Sequence, residues 1–284
     1  MKLYMVPHVV ALVLSLVWIE TSLAFQQEGG ISLTYKLEKG KTYRYASQSD
    51  IQSVQTMMGN EVSTTIGSNS VARLTVEDVD KEGNITIVTA LDSIVVKSHS
   101  PQRDTTMVNP FGIVGKRTRD LITKYGQTLK STIIDTVRMP MGMGGRRVSA
   151  SSFLLDFGDK AVKVGDSWDR TKTDSLDQMG GKMYLTSHIT YTFVEPAEMQ
   201  GYKCYKITSK GTTSYQGKGQ MMGMSVFTEG TGTVNGTIYF APDEGILVES
   251  ESTSQQELTS AMTGQQNMTI PISQSIKSTT TLQK

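Results

Sequence analysis

From residue 31 onward, apolar and polar side chains alternate in short runs rather than at a helical spacing. Ile31, Leu33, Tyr35 and Leu37 take every second position, and Tyr43 and Tyr45 resume the pattern after the Lys39-Gly40 turn. A period of two marks a strand with one buried face. Residues 47–65 extend it with Ser, Thr, Gln and Val, a composition suited to strands wet on one side, with a hairpin tip at Met57-Met58-Gly59-Asn60. Residues 71–79 and 85–96 predict the next pair. The loop signals Pro101, Pro110 and Gly112 fill residues 98–112. Residues 119–134 predict a hairpin turning at Tyr125-Gly126-Gln127, because Gly126 interrupts the helical alternative and Thr132-Ile133-Ile134 is β-branched. Residues 149–157 predict the one short helix, with Ser149 to cap it. Further strands follow at 184–191, 204–209, 212–215, 225–240, 246–253 and 275–282. Ala241-Pro242-Asp243-Glu244-Gly245 is a turn in which Pro presets φ and Gly supplies a positive one. The expected class is all-β, with antiparallel curved sheets of half-barrel or sandwich-like form, about six strands in each half and little helix.

The pattern also repeats. Leu37, Gly40 and Tyr43 match Val162, Gly165 and Trp168, each 125 residues later. Val76-Glu77 and Gly83 match Val194-Glu195 and Gly201 at an offset of 118, and Gly126 matches Gly245 at 119. A spacing near 120 residues is too long for a solenoid unit or a propeller blade. It predicts two similar β half-domains, 31–160 and 161–284, after a polar tail at 25–30. Gly165 then turns the chain into the second half, and Trp168 packs there as Tyr43 packs in the first.

Residues 1–24 change the picture at the start of the chain. Lys2 precedes an apolar core, and Ser22-Leu23-Ala24 offers small residues for cleavage, the pattern of a secretory signal peptide. The uncharged run from Leu3 to Ile19 is 17 residues, at the short limit of what spans a bilayer. Cleavage therefore leaves no integral membrane span, and no cysteine follows the site to carry a lipid. The expected address is secreted or periplasmic, with 260 residues remaining.

Those residues carry a net charge of only +1, with no clustered basic surface of the kind nucleic acid requires. The single Cys204 cannot form an internal disulfide. It lies in an alternating run and reads as a small buried hydrophobe. Catalytic motifs are missing: no Gly-x-Ser-x-Gly elbow, no Ser-x-x-Lys, and only His99 and His188 beyond the leader. Asp78-x-Asp80-x-Glu82-Gly83 opens like a calcium loop, but Thr89 stands where the bidentate glutamate belongs, so an acidic hairpin turn is expected. Asp156, Asp159, Asp166, Asp169 and Asp174 crowd the central junction and would suit a glycosidase only if two met in a cleft. Solvated loop acids are the simpler reading. Asn84, Asn235 and Asn267 each open a glycosylation triplet. The expectation is a protein that is not an enzyme and needs no cofactor.

Methionine is the unusual signal. The chain holds 16, and 14 remain once Met1 and Met5 leave with the signal. Many adjoin glycine: Met57-Met58-Gly59, Met139-Pro140-Met141-Gly142-Met143, Met179-Gly180 and Met221-Met222-Gly223-Met224. Flexible thioethers make adaptable apolar surfaces. Met57, Met58, Met179, Met183, Met221, Met222 and Met224 are therefore the candidates for holding an apolar ligand, such as a lipid or acyl chain, or an envelope protein partner. Thioethers are also soft ligands for Cu(I), for which Met139, Met141 and Met143, with the 221–224 group, are the alternative candidates. A plain packing role, in a purely structural envelope protein, is the third reading.

The run Val162 to Trp168, with Gly236-Thr237-Ile238-Tyr239-Phe240 and Glu244-Gly245-Ile246-Leu247-Val248, resembles a bacterial family of exported proteins of unknown function. Members of that family open their second half with a Lys-Val-Gly-Asp-x-Trp element. The resemblance implies an exported β-sheet protein and brings no catalytic residue with it. More distantly, the Gly-x-hydrophobic-x-Phe strand followed by a turn is similar to the envelope lipoprotein carriers, whose curved half-barrels hold acyl chains. The duplicated length departs from those carriers.

Overall fold

The computed structural model describes residues 30–57, 59–137, 148–178, 181–221, 224–264 and 267–284, without the side chains of 176–178 and 221. Residues 1–24, expected to be a signal peptide, lie outside the described residues.

Twelve strands make one antiparallel sheet: β1 (Thr42–Met57), β2 (Asn60–Val79), β3 (Ile85–His99), β4 (Asp104–Val108), β5 (Arg117–Ile122), β6 (Thr128–Ile133), β7 (Ser167–Gln178), β8 (Gly181–Met199), β9 (Tyr202–Met221), β10 (Met224–Ala241), β11 (Ile246–Thr263) and β12 (Met268–Gln283). Their order is β6-β5-β3-β2-β1-β12-β11-β10-β9-β8-β7, with β4 beside the far half of β3. The sheet is open and curved, as the period-two pattern predicts, and forms a single layer rather than a sandwich. Both stretches, 31–160 and 161–284, contribute to this sheet and to one main core.

Three sequence expectations need correction. Residues 98–112 are not all loop, since β4 lies among them and pairs with β3. The short helix is one 3-10 turn, Ala150–Ser152, closed by a capping box between Ser149 and Ser152. Residues 204–209 and 212–215 are one strand, β9, that runs straight through Gly211.

The two meanders begin alike. Gly40 N–H donates to Val76 O (2.9 Å) and Val76 N–H to Lys41 O (2.9 Å); Gly165 N–H donates to Phe193 O (2.7 Å) and Phe193 N–H to Asp166 O (2.9 Å). Gly40 and Gly165 take φ of 82° and 95°, which L-residues avoid. A bulge follows each, at Val76/Asp78 and at Phe193/Glu195. Tyr43 then pairs in register with Leu74, and Trp168 with Tyr191.

Register also assigns the faces, because directly opposed residues share one. The main core occupies one face at one end, with Tyr45, Leu74, Val76, Ile87, Phe193, Ile207, Ile238 and Phe240 all buried. Two irregular segments cover it. In the first, Ile31 and Val162 exchange backbone hydrogen bonds of 2.7 and 2.9 Å, and Tyr35 N–H reaches Lys124 O at 2.7 Å. In the second, Phe157 stacks on Tyr35 and meets Phe240 edge-on. Asp120, 1% exposed, accepts the Ala150 N–H at 2.7 Å and so fixes the start of the 3-10 turn.

Candidate ligand-binding faces

Beyond the covering segments, the core-bearing face continues in rows across the strands. Ile66, Ile51 and Ile276 stand side by side on β2, β1 and β12, in line with Val234 on β10 and Ile189 on β8. Four residues further out, Val62, Ile272, Leu258, Tyr215 and Leu185 form a second such row. Between them runs a polar row in which Ser53 and Gln256 are buried, and Gln274 Nε2 donates to Ser53 Oγ at 3.3 Å. The far end closes with a second cluster of buried Val226, Met262 and Ile270, packed by Met224, Met268 and Ile272.

Glycines stand inside the strands on this face. A Cβ on Gly232 would stand 2.7 Å from Gln255 O and 2.8 Å from Thr213 Oγ1; one on Gly236 would stand 2.7 Å from Glu251 O. Gly211 and Gly230 would collide harder with the carbonyls of His188 and Glu257. Neighbouring backbones therefore approach more closely here than side chains allow.

Of the methionines singled out in the sequence, Met57, Met183 and Met224 have described side chains, and register places all three on the core-bearing face. Met57 is exposed at the end of β1, while Met183 and Met224 are half-buried. Met58, Met179 and Met222, with Met139, Met141 and Met143, lie outside the described residues, and Met221 ends β9 with its side chain outside them. The structure brings Met224 together with Met262 and Met268, which sequence reasoning passed over. Their signal was position: Met262 and Met268 flank the β11–β12 turn at the same height as Met224.

The structural candidates are placed as follows. Trp168 is half-buried against the core and stacks on Tyr191, centroids 5.6 Å apart, with its indole N–H buried and without a partner among the described residues. Tyr43 packs at the corresponding place, its hydroxyl accepting the Glu38 N–H at 3.2 Å. Gly245 turns β10 into β11, and its carbonyl accepts Lys36 N–H at 3.0 Å. Cys204 is buried, and burial pushes its thiol up to about 11. Four of the five central aspartates are taken locally: Asp156 lies 3.6 Å from Arg170 Nε, Asp166 accepts Lys163 N–H at 2.8 Å, Asp169 accepts the Thr190 hydroxyl at 2.6 Å, and Asp174 pairs with Lys172 at 3.2 Å. The Asp78–Glu82 segment is a hairpin turn in which Asp80 accepts the Glu82 and Asn84 N–H groups. Among the described residues no group of three or more His, Cys, Asp or Glu could hold a metal ion. Among the same residues no helix is long and apolar enough to cross a membrane.

The opposite face carries a hollow of its own. Two adjoining clefts of about 500 and 430 Å³ cross β8, β9, β10 and β11. They share Ser214, Thr231 and Glu257, and Tyr184, His188, Gln216, Glu229 and Gln255 also line them.

No family model matches the chain, and no curated protein matches it. Among solved structures it is similar to three from Pseudomonas aeruginosa. OpdQ is 8% identical at a TM-score of 0.30, over 86% of this chain and 100% of that one. OccK5 (OpdH) is 5% identical at 0.27, over 87% and 99%. OccK2 (OpdF), solved in complex with glucuronate, is 6% identical at 0.25, over 87% and 99%. Likeness this slight carries no argument about function.

Proposed function

We propose that the protein is an exported, non-enzymatic binding protein that holds an apolar, chain-like ligand, a lipid or acyl chain, along the core-bearing face of its sheet. One observation carries the reading: apolar side chains continue in register over this face past the end of the covered core, from Ile51 and Ile66 to the Met224, Met262 and Met268 cluster. Burying an apolar chain there is favourable at about 25 cal/mol per Å² removed from water. The methionines at the far end supply side chains that adapt to chains of different shape. Native mass spectrometry of the protein purified from its host should show a co-purifying apolar mass. Leu258→Gln should lose it, and lose binding of cis-parinaric acid, while melting as the parent does. An empty parent that also ignores parinaric acid would remove the proposal.

A second reading rests on the same cluster. Three thioethers from adjacent strands form a donor set suited to Cu(I). Titration against a bicinchoninate competitor decides it: Met262→Leu should abolish uptake, and a parent that takes no copper leaves the apolar reading alone.

A further inference from the structure

We propose that the double cleft on the opposite face is a second binding site, for a short saccharide. It is built from the outward residues of four strands, at least ~14 Å across at the usual strand spacing. Its lining combines hydroxyl, amide and carboxylate groups with His188, the half-exposed ring of Tyr184 and, in the second cleft, largely apolar surface, and holds neither lysine nor arginine. That lining offers nothing to a phosphate or an acid, and no wall of leucine, isoleucine or valine to a lipid. It does offer carboxylates and amides, which engage paired hydroxyls, and an aromatic ring for the C–H face of a sugar.

The rim is held in place from outside the cleft. Thr171 on β7 bonds His188 Nδ1 (2.9 Å), Ser273 on β12 donates to Glu257 (2.7 Å), and Gln255 donates to Ser275 (2.9 Å). Glu229 and Gln216, inside the rim, are exposed and have no side-chain hydrogen bond to protein among the described residues. A fixed rim around unengaged acceptors and donors is the arrangement that binding without reorganisation requires. Glu229 stands opposite Thr259 and Glu257 opposite Thr231, so the two carboxylates are diagonal neighbours on adjacent strands. Nothing cationic in the lining offsets them, so the competing occupant is a polyamine.

Saturation-transfer NMR and calorimetry with chitotriose, cellotriose and maltotriose, and separately with spermidine, test the site. At least one trisaccharide should receive saturation; Glu229→Gln should weaken its binding about tenfold, the size of one hydrogen bond to a charged group, and Tyr184→Ala should weaken it by a similar factor through loss of the ring contact. Both positions are exposed, and unchanged circular dichroism and melting will show that the variants fold. Silence from all three sugars, binding unaltered in both variants, or binding of spermidine alone would overturn the proposal. None of these outcomes depends on the apolar face.

Discussion

Trp168 shows how a single side chain can be well packed and incompletely satisfied. Its ring stacks on Tyr191 with planes 23° apart, yet its indole N–H is buried with no acceptor among the described residues. Removing the ring loses the stacking and part of the apolar burial. Trp168→Ala should therefore cost about 2–3 kcal/mol, below the ~3–5 of a fully buried aromatic. Trp168→Phe keeps a ring on Tyr191 and deletes the orphaned donor, whose burial costs ~1–3 kcal/mol. The phenylalanine variant should stay within about 1 kcal/mol of the parent. Urea unfolding followed by far-ultraviolet circular dichroism separates the two. Equal losses would mean that the stacking contributes little. The role of Trp168 was legible because its spacing from Gly165 copies that of Tyr43 from Gly40. Its unpaired N–H was not, since that depends on which groups the fold brings near it.

At the scale of elements, the sequence showed where turns fall better than where strands continue. Glycine explains the difference. Gly126, Gly165 and Gly245 take positive φ in turns, as their patterns predict, whereas Gly211, Gly230, Gly232 and Gly236 lie inside strands, where adjoining backbones leave no room for Cβ. A breaker signal and a close-packing position look the same in one sequence, so β9 read as two strands. The proline-flanked β4 was missed for a similar reason. The saccharide cleft was invisible because its residues come from four strands and have the composition of any wet face. The turn glycines themselves divide into two kinds. A Cβ on Gly165 would meet nothing within 4 Å, so Gly165→Ala should cost only the ~1–2 kcal/mol of a left-handed residue. A Cβ on Gly245 would run into the backbone nitrogen of Lys36, which donates to the Gly245 carbonyl. Gly245→Ala should cost about 3 kcal/mol or more, adding displacement of the 31–37 segment to the backbone strain. Thermal melts of the pair should show Gly245→Ala clearly lower, and equal shifts would mean that the segment yields freely.

The whole molecule is held together at one end. Residues from both halves of the chain meet in one core there, and β1 pairs with β12 along most of its length, joining the two meanders into one sheet. Three tyrosines are buried in that core. Tyr35 exchanges hydrogen bonds with the Leu155 backbone, Tyr45 donates to Leu247 O at 2.9 Å, and Tyr191 packs under Trp168. Burial raises the pKa of all three above the ordinary tyrosine value, that of Tyr191 to about 12, with Asp156 adding to the rise. The native state thus holds protons that the unfolded chain gives up near pH ~10. Between those values the unfolded chain binds fewer protons, so stability falls as pH rises, and it is complete below pH ~10. Tyr35, Tyr45 and Tyr191 should ionise only as the sheet unfolds, in one step because the core is shared. Absorbance at 295 nm against circular dichroism, from neutral to strongly alkaline pH, should show a tyrosine step coinciding with loss of strand signal. If every tyrosine titrates near pH ~10 while the strand signal persists, the core at this end is open to water, and the covering segments do not seal it as their hydrogen bonds imply.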